Sequence, residues 1–423
     1  MICAEHLGCG VRLVTERMPE SRSVSLGVWV GTGSRDETDA MAGTSHFLEH
    51  LLFKGTPRWS AAAIAEAVDE VGGDMNAFTT KEYTAFYVRL LAEDMKLGLD
   101  VLGAIMTDPA LRAEEIEAER QVIMEEILMH GDEPGDLATE LFSAALFPGH
   151  PLGREVLGSS ETVVRLSREE IRGFFDEHYL AGNLVVAAAG DLDHDHLREA
   201  VESVFASRSG GGPPARTAPG TPPAAGPAVD RRPIEQVHLV LGMAGPGRHS
   251  EDRWALALAN HVLGGGISSR LFQEVRERRG LAYSIWSERT HYEEVGSLSV
   301  GVSTAVEHAE EVLGLVNVEI DRMGEAGITD RELSVAKGHL RADTVLSLED
   351  SGARMSRIGS SLLLHGEVLD VDDLLARIDA VTLADVARVC GEMASQPRVL
   401  AVVGPVSEEE VGSWRANRTG SGR

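Results

Sequence analysis

Apolar residues alternate with other residues at two places along the chain, and each place opens a similar series of elements. Residues 24–30 and 237–243 carry an apolar side chain at every second position, which predicts two β-strands. A glycine-containing turn and then a helical pattern follow each strand. The two halves therefore look like one design used twice.

Later elements of the two halves match in the same way. Each half has a long amphipathic helix, then a more acidic helix, and a short buried strand near its end. These pairs are residues 94–107 and 308–323, 114–129 and 330–346, and 184–189 and 398–403. Helices mixed with locally paired strands predict an α+β fold of two duplicated domains, each packing helices against a mainly antiparallel sheet.

A segment near the middle of the chain separates the halves. Residues 207–232 are rich in proline and glycine, a composition that supports neither a helix nor a strand ladder. We expect an N-terminal domain over residues 1–206, a linker over 207–232 and a C-terminal domain over 233–423. A chain of 423 residues suits two domains of roughly 200 residues.

The net charge of the chain is strongly negative. It has 39 basic and 67 acidic residues, a formal charge of −28, whereas nucleic-acid phosphates need a basic footprint. We therefore expect no nucleic-acid partner. An acidic surface suits basic or unfolded peptides and also serves solubility alone, and composition leaves both interpretations open.

The sequence shows no signal for a membrane or for export. No stretch approaches the roughly 18 consecutive apolar residues of a membrane span, and the first residues lack a basic region followed by an apolar run. Cys3, Cys9 and Cys390 are too few for a disulfide framework and fit a reducing compartment. We expect a cytoplasmic protein with no membrane partner.

His46 and His50 are the clearest candidates for chemistry. Two side chains four residues apart on a helix leave the same face one turn apart, so both imidazoles reach one metal ion. Glu49 lies on the other side of His46, close enough to contact a water molecule beside the metal. Apolar neighbours favour the helix and residues 55–57 end it. We interpret this motif as a zinc site.

A catalytic zinc ion needs a third protein ligand, because it has three ligands and one open position. Steps of about 100° along the helix predicted over residues 114–129 place Glu119 and Glu126 near the middle of an apolar arc. The members of that arc are Ile116, Val122, Ile123, Ile127 and Met129. Carboxylates on a buried face are costly without a cation. Alternative partners are a buried arginine or helix ends, and periodicity does not say which glutamate binds the metal.

Both motifs resemble the pitrilysin/insulinase family of zinc peptidases, in which the metal motif is the inverted His-x-x-Glu-His. The likeness lies in residues 43–56, GTSHFLEHLLFKGT, and in residues 119–126, ERQVIMEE. It is closest to the short-chain branch typified by mitochondrial processing peptidase and its bacterial relatives, and it covers nearly the whole chain. The resemblance implies one zinc ion per chain, with Glu126 as third ligand and Glu119 as a carboxylate that supports a ligand.

A strand after a double glycine is the candidate substrate-binding element. Strand formers alternate from Ala77 onwards, after Gly72 and Gly73, and an edge strand accepts an extended peptide through main-chain hydrogen bonds. The residues alone favour an ordinary internal strand. The resemblance implies instead that Asn76, Ala77 and Phe78 line the substrate site.

The second half cannot repeat the metal site. It has no His-x-x-Glu-His motif, and its acidic helix carries Ala336 and Asp343 at the spacing of the two glutamates. The resemblance gives this half another role, because it implies that Arg276 and Tyr283 face the zinc across the cavity. A guanidinium and a phenol suit the oxyanion and the carbonyl of peptide hydrolysis.

These features predict a zinc-dependent endopeptidase that hydrolyses peptides, unfolded proteins or presequence-like segments, with Glu49 activating the water. In short-chain relatives the zinc motif and the arginine–tyrosine pair lie on opposite subunits, so the resemblance implies a homodimer. A flexible linker also lets the two halves of one chain meet, and the sequence leaves this alternative open. Two other interpretations are a non-catalytic assembly or partner subunit and a metal-dependent hydrolase of another bond. The complete set of metal residues favours the peptidase over the partner subunit.

Overall fold

The computed structural model describes residues 2–220 and 226–416, which form two compact units. The first unit contains the described residues of Met1–Leu128, Arg154–Thr217 and Thr344–Asp370. The second unit contains those of Met129–Gly153, Ala218–Asp343 and Val371–Arg423. Within the described ranges, no helix combines the length and the apolar character that a membrane crossing requires.

Each unit contains one sheet and a set of helices. The strands are β1 (Ile2–His6), β2 (Arg12–Arg17), β3 (Ser23–Val30), β4 (Asp74–Thr79), β5 (Thr84–Leu91), β6 (Leu184–Gly190), β7 (Ala228–Arg231), β8 (Gln236–Pro246), β9 (Ala282–His291), β10 (Val295–Ala305) and β11 (Val399–Gly404). The helices are α1 (Thr44–Leu52), α2 (Ala61–Glu70), α3 (Met95–Thr107), α4 (Ala113–Gly131), α5 (Pro134–Leu146), α6 (Ser160–Arg165), α7 (Arg168–His178), α8 (His194–Phe205), α9 (Asp252–Gly264), α10 (Ala309–Ala326), α11 (Asp330–Leu346), α12 (Ser351–His365), α13 (Val371–Ala380), α14 (Leu383–Ser395) and α15 (Glu408–Ala416).

The two sheets share one topology. The first has the order β1-β2-β6-β3-β5-β4 and the second the order β7-β11-β8-β10-β9. Pairing is antiparallel except between β2 and β6 in the first sheet and between β7 and β11 in the second. Apart from β1, the sheets therefore match strand for strand. The predicted α+β class and the duplication are confirmed.

Both faces of the central strands of the first sheet are buried. One face packs on a large core that includes residues of α1, α3, α7 and α8. The other face carries Trp29 and Val185, which pack against Met355 and Ile358 of α12. Gly359 makes this contact possible, because a Cβ there would lie 2.7 Å from the indole of Trp29. Burial on both faces explains why β6 is apolar at every position except its terminal glycine.

The second sheet is covered by a helix from the other half of the sequence. Ala138 and Phe142 of α5 pack against Val240 and Ala401. The helices α5 and α12 are therefore exchanged between the halves: residues 129–153 join the second unit and residues 344–370 join the first. The domain bounds expected from the sequence, 1–206 and 233–423, differ from the units in these two segments. Hydrophobic periodicity shows that a helix has an apolar face, but not which sheet that face covers.

The predicted linker contains ordered structure on both sides of residues 221–225, which lie outside the described residues. Strand β7 pairs in parallel with β11. Arg216 donates to both carboxylate oxygens of Asp36, at 2.9 and 2.8 Å, and to the carbonyl oxygens of Gly31 and Glu82, at 3.2 and 2.6 Å. The side chains of Arg216 and Asp36 are 11% and 1% exposed. This end of the linker therefore belongs to the first unit.

We predict that Arg216→Ala destabilises the first unit by about 3–5 kcal/mol, because the buried carboxylate of Asp36 loses its counter-charge. Urea titration followed by circular dichroism measures the change. Lys96→Ala is the matched control, since Lys96 is 85% exposed and pairs with Asp100 in a surface ion pair, which is worth less than about 1 kcal/mol. Equal unfolding midpoints for the two variants would contradict the assignment of Arg216 to the unit.

Candidate metal centre

The helix α1 carries the motif and is fixed at its N-terminus by a buried carboxylate. Glu37 accepts hydrogen bonds from the backbone N–H groups of Gly43, at 2.9 Å, and Ser45, at 2.6 Å. Gly43 has φ of 95°, and a Cβ there would lie 2.6 Å from the carbonyl oxygen of Leu157. Phe47 and Leu51 of the same helix are buried in the core. The opposite side of α1 therefore presents His46, Glu49 and His50.

Three electron-pair donors converge where α1 meets α4. Nε2 of His46 and Nε2 of His50 lie 3.6 and 3.5 Å from Oε2 of Glu126, and the two imidazole centroids are 4.7 Å apart. One ligand atom from each of the three residues lies within 4.8 Å of the others. The structure therefore brings together the two histidines and the glutamate that the sequence and the resemblance selected.

The lone pairs of these three groups leave a site for a cation. Burial lowers the pKa of His46 to about 4, with a smaller contribution from neighbouring His50, so this imidazole is neutral near pH 7. Nδ1 of His50 lies 3.1 Å from Oε2 of Glu119; a proton on Nδ1 leaves the lone pair on Nε2. Oε2 of Glu126 is buried and receives no hydrogen bond from any residue that the structure describes. Two imidazole nitrogens and one carboxylate oxygen are the donor set of a catalytic zinc site.

Glu49 lies beside the three donors and is oriented by the edge strand. Its Oε2 accepts a hydrogen bond of 2.6 Å from the hydroxyl of Thr79, the last residue of β4. Burial raises the pKa of the Glu49 carboxyl above its ordinary value, and the hydrogen bond from Thr79 opposes that shift. A carboxylate with a raised pKa is a stronger base, which suits proton transfer near neutral pH.

The two glutamates of α4 differ in environment. Glu119 is buried, with a side chain 7% exposed, and its other oxygen lies 2.7 Å from Nζ of Lys54. Glu126 is 33% exposed. The buried arginine of this helix, Arg120, is not the partner of Glu119 or Glu126. It pairs with Glu117 and donates to the carbonyl oxygens of Val163 and Leu166.

The apolar arc of α4 is narrower than its periodicity predicts. Ile116 and Ile123 are buried, whereas Val122 and Met129 are 43% and 66% exposed. The helix passes from the first unit to the second at residues 128 and 129. The prediction that Val122 and Met129 belong to a buried face is wrong; Met129 lies where the helix has left the first unit, and Val122 lies on the exposed side within it.

The candidate substrate strand lies at a sheet edge. Asn76, Ala77 and Phe78 are in β4, whose described pairing is with β5. Side chains alternate along β4, so that Asn76 and Phe78 are exposed and Ala77 is partly buried. The ring of Phe78 packs near that of Tyr83, with centroids 5.8 Å apart. The strand is therefore an edge strand that ends at the hydrogen bond to Glu49.

Arg276 and Tyr283 lie together in the second unit. Arg276 is in a π-helical segment, Phe272–Arg278, and Tyr283 is near the start of β9. The guanidinium carbon of Arg276 lies 4.7 Å from the ring centroid of Phe272 and 4.6 Å from that of Tyr283. Tyr283 is 82% exposed. The two residues that the resemblance selected are therefore in contact with each other, and the ring of Tyr283 is exposed.

Sequence reasoning missed three residues that hold the centre: Glu37, Lys54 and Thr79. An acidic residue shortly before a predicted helix is a capping signal, and that signal was available for Glu37. Lys54 and Thr79 act on residues 65 positions later and 30 positions earlier. Their roles depend on tertiary contacts, which no local pattern reveals.

Known proteins resemble the chain along nearly its whole length. Residues 12–160 match the family model described as insulinase (peptidase family M16), and residues 165–340 match the one described as peptidase M16 inactive domain. An uncharacterized zinc protease of Streptomyces coelicolor is 44% identical over 95% of this chain and 89% of its own length. The uncharacterized zinc protease YmxG of Bacillus subtilis is 36% identical over 94% of this chain and 96% of its own length.

Two solved structures share the fold. A structure described as the peptidase M16 inactive domain from Pseudomonas fluorescens has a TM-score of 0.90, with 22% identity, over 96% of this chain and 98% of its own. A protease from Helicobacter pylori has a TM-score of 0.86, also with 22% identity, over 95% of this chain and 99% of its own.

We predict that the purified protein contains one zinc ion per chain and that His50→Ala loses it, because one of three converging donors is removed. Inductively coupled plasma mass spectrometry measures the metal after dialysis. His196→Ala removes an imidazole that is 84% exposed and should leave the zinc content unchanged. Stoichiometric zinc in dialysed His50→Ala would overturn the ligand assignment.

Proposed function

The chain belongs to the insulinase family, peptidase family M16, and on that premise we propose that it is a zinc-dependent endopeptidase. Its substrates in this proposal are peptides, unfolded proteins or presequence-like segments. The observation that carries the proposal is the convergence of His46, His50 and Glu126 beside an oriented carboxylate. A partner subunit that had lost catalysis would not need this complete set.

The residues of the first unit supply the steps of hydrolysis. A zinc ion, when bound, supplies Lewis acidity, which acidifies a water molecule and polarises a carbonyl group. Glu49 accepts the proton of the attacking water and later delivers it to the leaving amine. Thr79 holds one Glu49 oxygen through its hydrogen bond of 2.6 Å, so the other oxygen is directed to the reacting water. Glu119 orients His50.

Strand β4 is the proposed docking edge for the substrate. An extended peptide adds to an exposed edge through main-chain hydrogen bonds, with its register set by the strand. Asn76 and Phe78 then contact substrate side chains, and Ala77 supplies main-chain groups. Because β4 ends at Thr79, a peptide on this edge is led to Glu49. The charge of −28 favours basic or unfolded peptides.

The second unit completes the site in this proposal, although its sequence matches a domain described as inactive. Tyr283 donates a hydrogen bond to the oxyanion, and Arg276 supports the phenol or binds a substrate carbonyl. Their mutual contact at 4.6 Å supports action as a pair. We place the metal centre and this pair on opposite subunits of a homodimer. The free thiols Cys3, Cys9 and Cys390 fit a reducing, cytoplasmic location.

We predict that Glu49→Gln keeps zinc and the fold but loses about two to four decades of kcat, the scale of general base catalysis. Glutamine preserves the shape and the hydrogen bond from Thr79 but cannot accept a proton. Cleavage of a fluorogenic unstructured peptide measures the loss. Glu125→Gln is the matched control, because Glu125 is exposed on α4 next to the ligand. Activity of Glu49→Gln near that of the control would disprove the role of Glu49 as base.

Mixing Glu49→Gln with Tyr283→Phe tests the divided site. If sites form between subunits, some mixed dimers regain one intact site, and we predict that activity rises well above that of either variant alone. Subunit exchange is verified by native mass spectrometry of differently tagged chains. Exchange without recovery would refute the inter-subunit site while leaving the zinc assignment intact.

A further inference from the structure

Lys54 makes an ion pair directly behind the metal centre. Its Nζ lies 2.7 Å from Oε1 of Glu119, and Oε2 of the same carboxylate lies 3.1 Å from Nδ1 of His50. Nε2 of that imidazole faces Glu126 at 3.5 Å. Lysine, carboxylate and imidazole therefore form one continuous series of polar contacts that ends at the point where the three donors converge.

The backbone around Lys54 is built to hold this side chain in place. Its N–H donates to the carbonyl oxygen of Leu51 at 3.0 Å as α1 ends. Gly55 follows with φ of 108°, and a Cβ there would lie 2.6 Å from the carbonyl oxygen of Trp59. Arg112, which directly precedes α4, donates to the carbonyl oxygen of Thr56 at 3.1 Å. The turn after α1 is thus tied to the start of the helix that carries Glu119.

The burial of Glu119 makes its counter-charge important. The Glu119 side chain is 7% exposed, whereas that of Lys54 is 32% exposed. Charge-assisted hydrogen bonds are short and strong, and removing one partner of a buried pair leaves an uncompensated charge. Without the ammonium group of Lys54, the Glu119 carboxylate is stabilised by turning toward solvent, where water hydrates its charge. That movement would remove the acceptor that orients His50.

We propose that Lys54 is a positioning residue for the metal centre, which acts through Glu119 to orient His50 and thereby raises zinc affinity. The inference rests on the proposed zinc site and goes beyond it, because it assigns a function to a residue outside the three converging donors. Outer groups that orient a ligand contribute roughly 10–100-fold to metal affinity. A similar weakening is expected when Lys54 is replaced.

Zinc affinity is the direct test. We expect Lys54→Met to raise the dissociation constant for zinc by roughly 10–100-fold, measured by competition with a chromophoric chelator. Lys54→Arg, which retains a cation near Glu119, should recover most of the affinity. Lys96→Met is the control, because Lys96 is a surface lysine in the same unit, and it should bind zinc as the wild type does. A dissociation constant for Lys54→Met within twofold of wild type would overturn the proposal.

A double-mutant cycle separates positioning from a general loss of stability. If Lys54 acts through Glu119, Lys54→Met should cost little additional affinity in a Glu119→Gln background. If Lys54 had only a structural role, Lys54→Met would lower the melting temperature of the metal-free protein and reduce zinc affinity equally in both backgrounds. That result would refute the proposal. Failure of the zinc site itself gives a different result, since the wild type would then bind no zinc.

Discussion

The placement of three lone pairs around one point is the constraint on which the candidate metal centre depends. Lone pairs on imidazole nitrogens and on a carboxylate oxygen repel one another, and a cation between them removes that repulsion; ligand atoms of His46, His50 and Glu126 converge to within 4.8 Å. The packing of two helices holds them there. Phe47 of α1 and Ile123 of α4 are buried in the same core, and Glu37 fixes the start of α1. Core packing thus holds the donors in place for a metal ion.

The packing of α12 on the first sheet buries the strand that leads to this centre. Strand β3 leads into the loop before α1 and pairs with β5, which in turn pairs with β4. With Trp29 covered by α12, β3 has no face on solvent. The edge strand that orients Glu49 is therefore hydrogen-bonded to β5, which in turn pairs with the buried strand β3. An exposed edge strand backed by a buried strand is an arrangement that holds a side chain such as Glu49 in a fixed position.

The sequence predicted those features of the centre that depend on local helix geometry, but not those that depend on tertiary contacts. The spacing of His46 and His50 places both on one helix face, and the structure shows them there. Periodicity put Glu119 and Glu126 on one face without ranking them. Seven residues of helix rise by roughly 10 Å, so the two carboxylates meet opposite nitrogens of the same imidazole, Nδ1 for Glu119 and Nε2 for Glu126. Thr79, Lys54 and the exchanged helices depend on contacts between distant segments, which hydrophobic patterns do not encode.

The second unit differs from the first at the position of Glu119. Ala336 is fully buried at the position where α4 carries Glu119. A carboxylate there would need a buried counter-charge, and an alanine needs none. In the same unit, His261 of α9 stacks on His339 of α11, with centroids 4.1 Å apart and planes at 18°. Among the described residues, no third ligand completes a metal group around that pair. Ordinary apolar packing therefore occupies the position in the second unit that corresponds to Glu119.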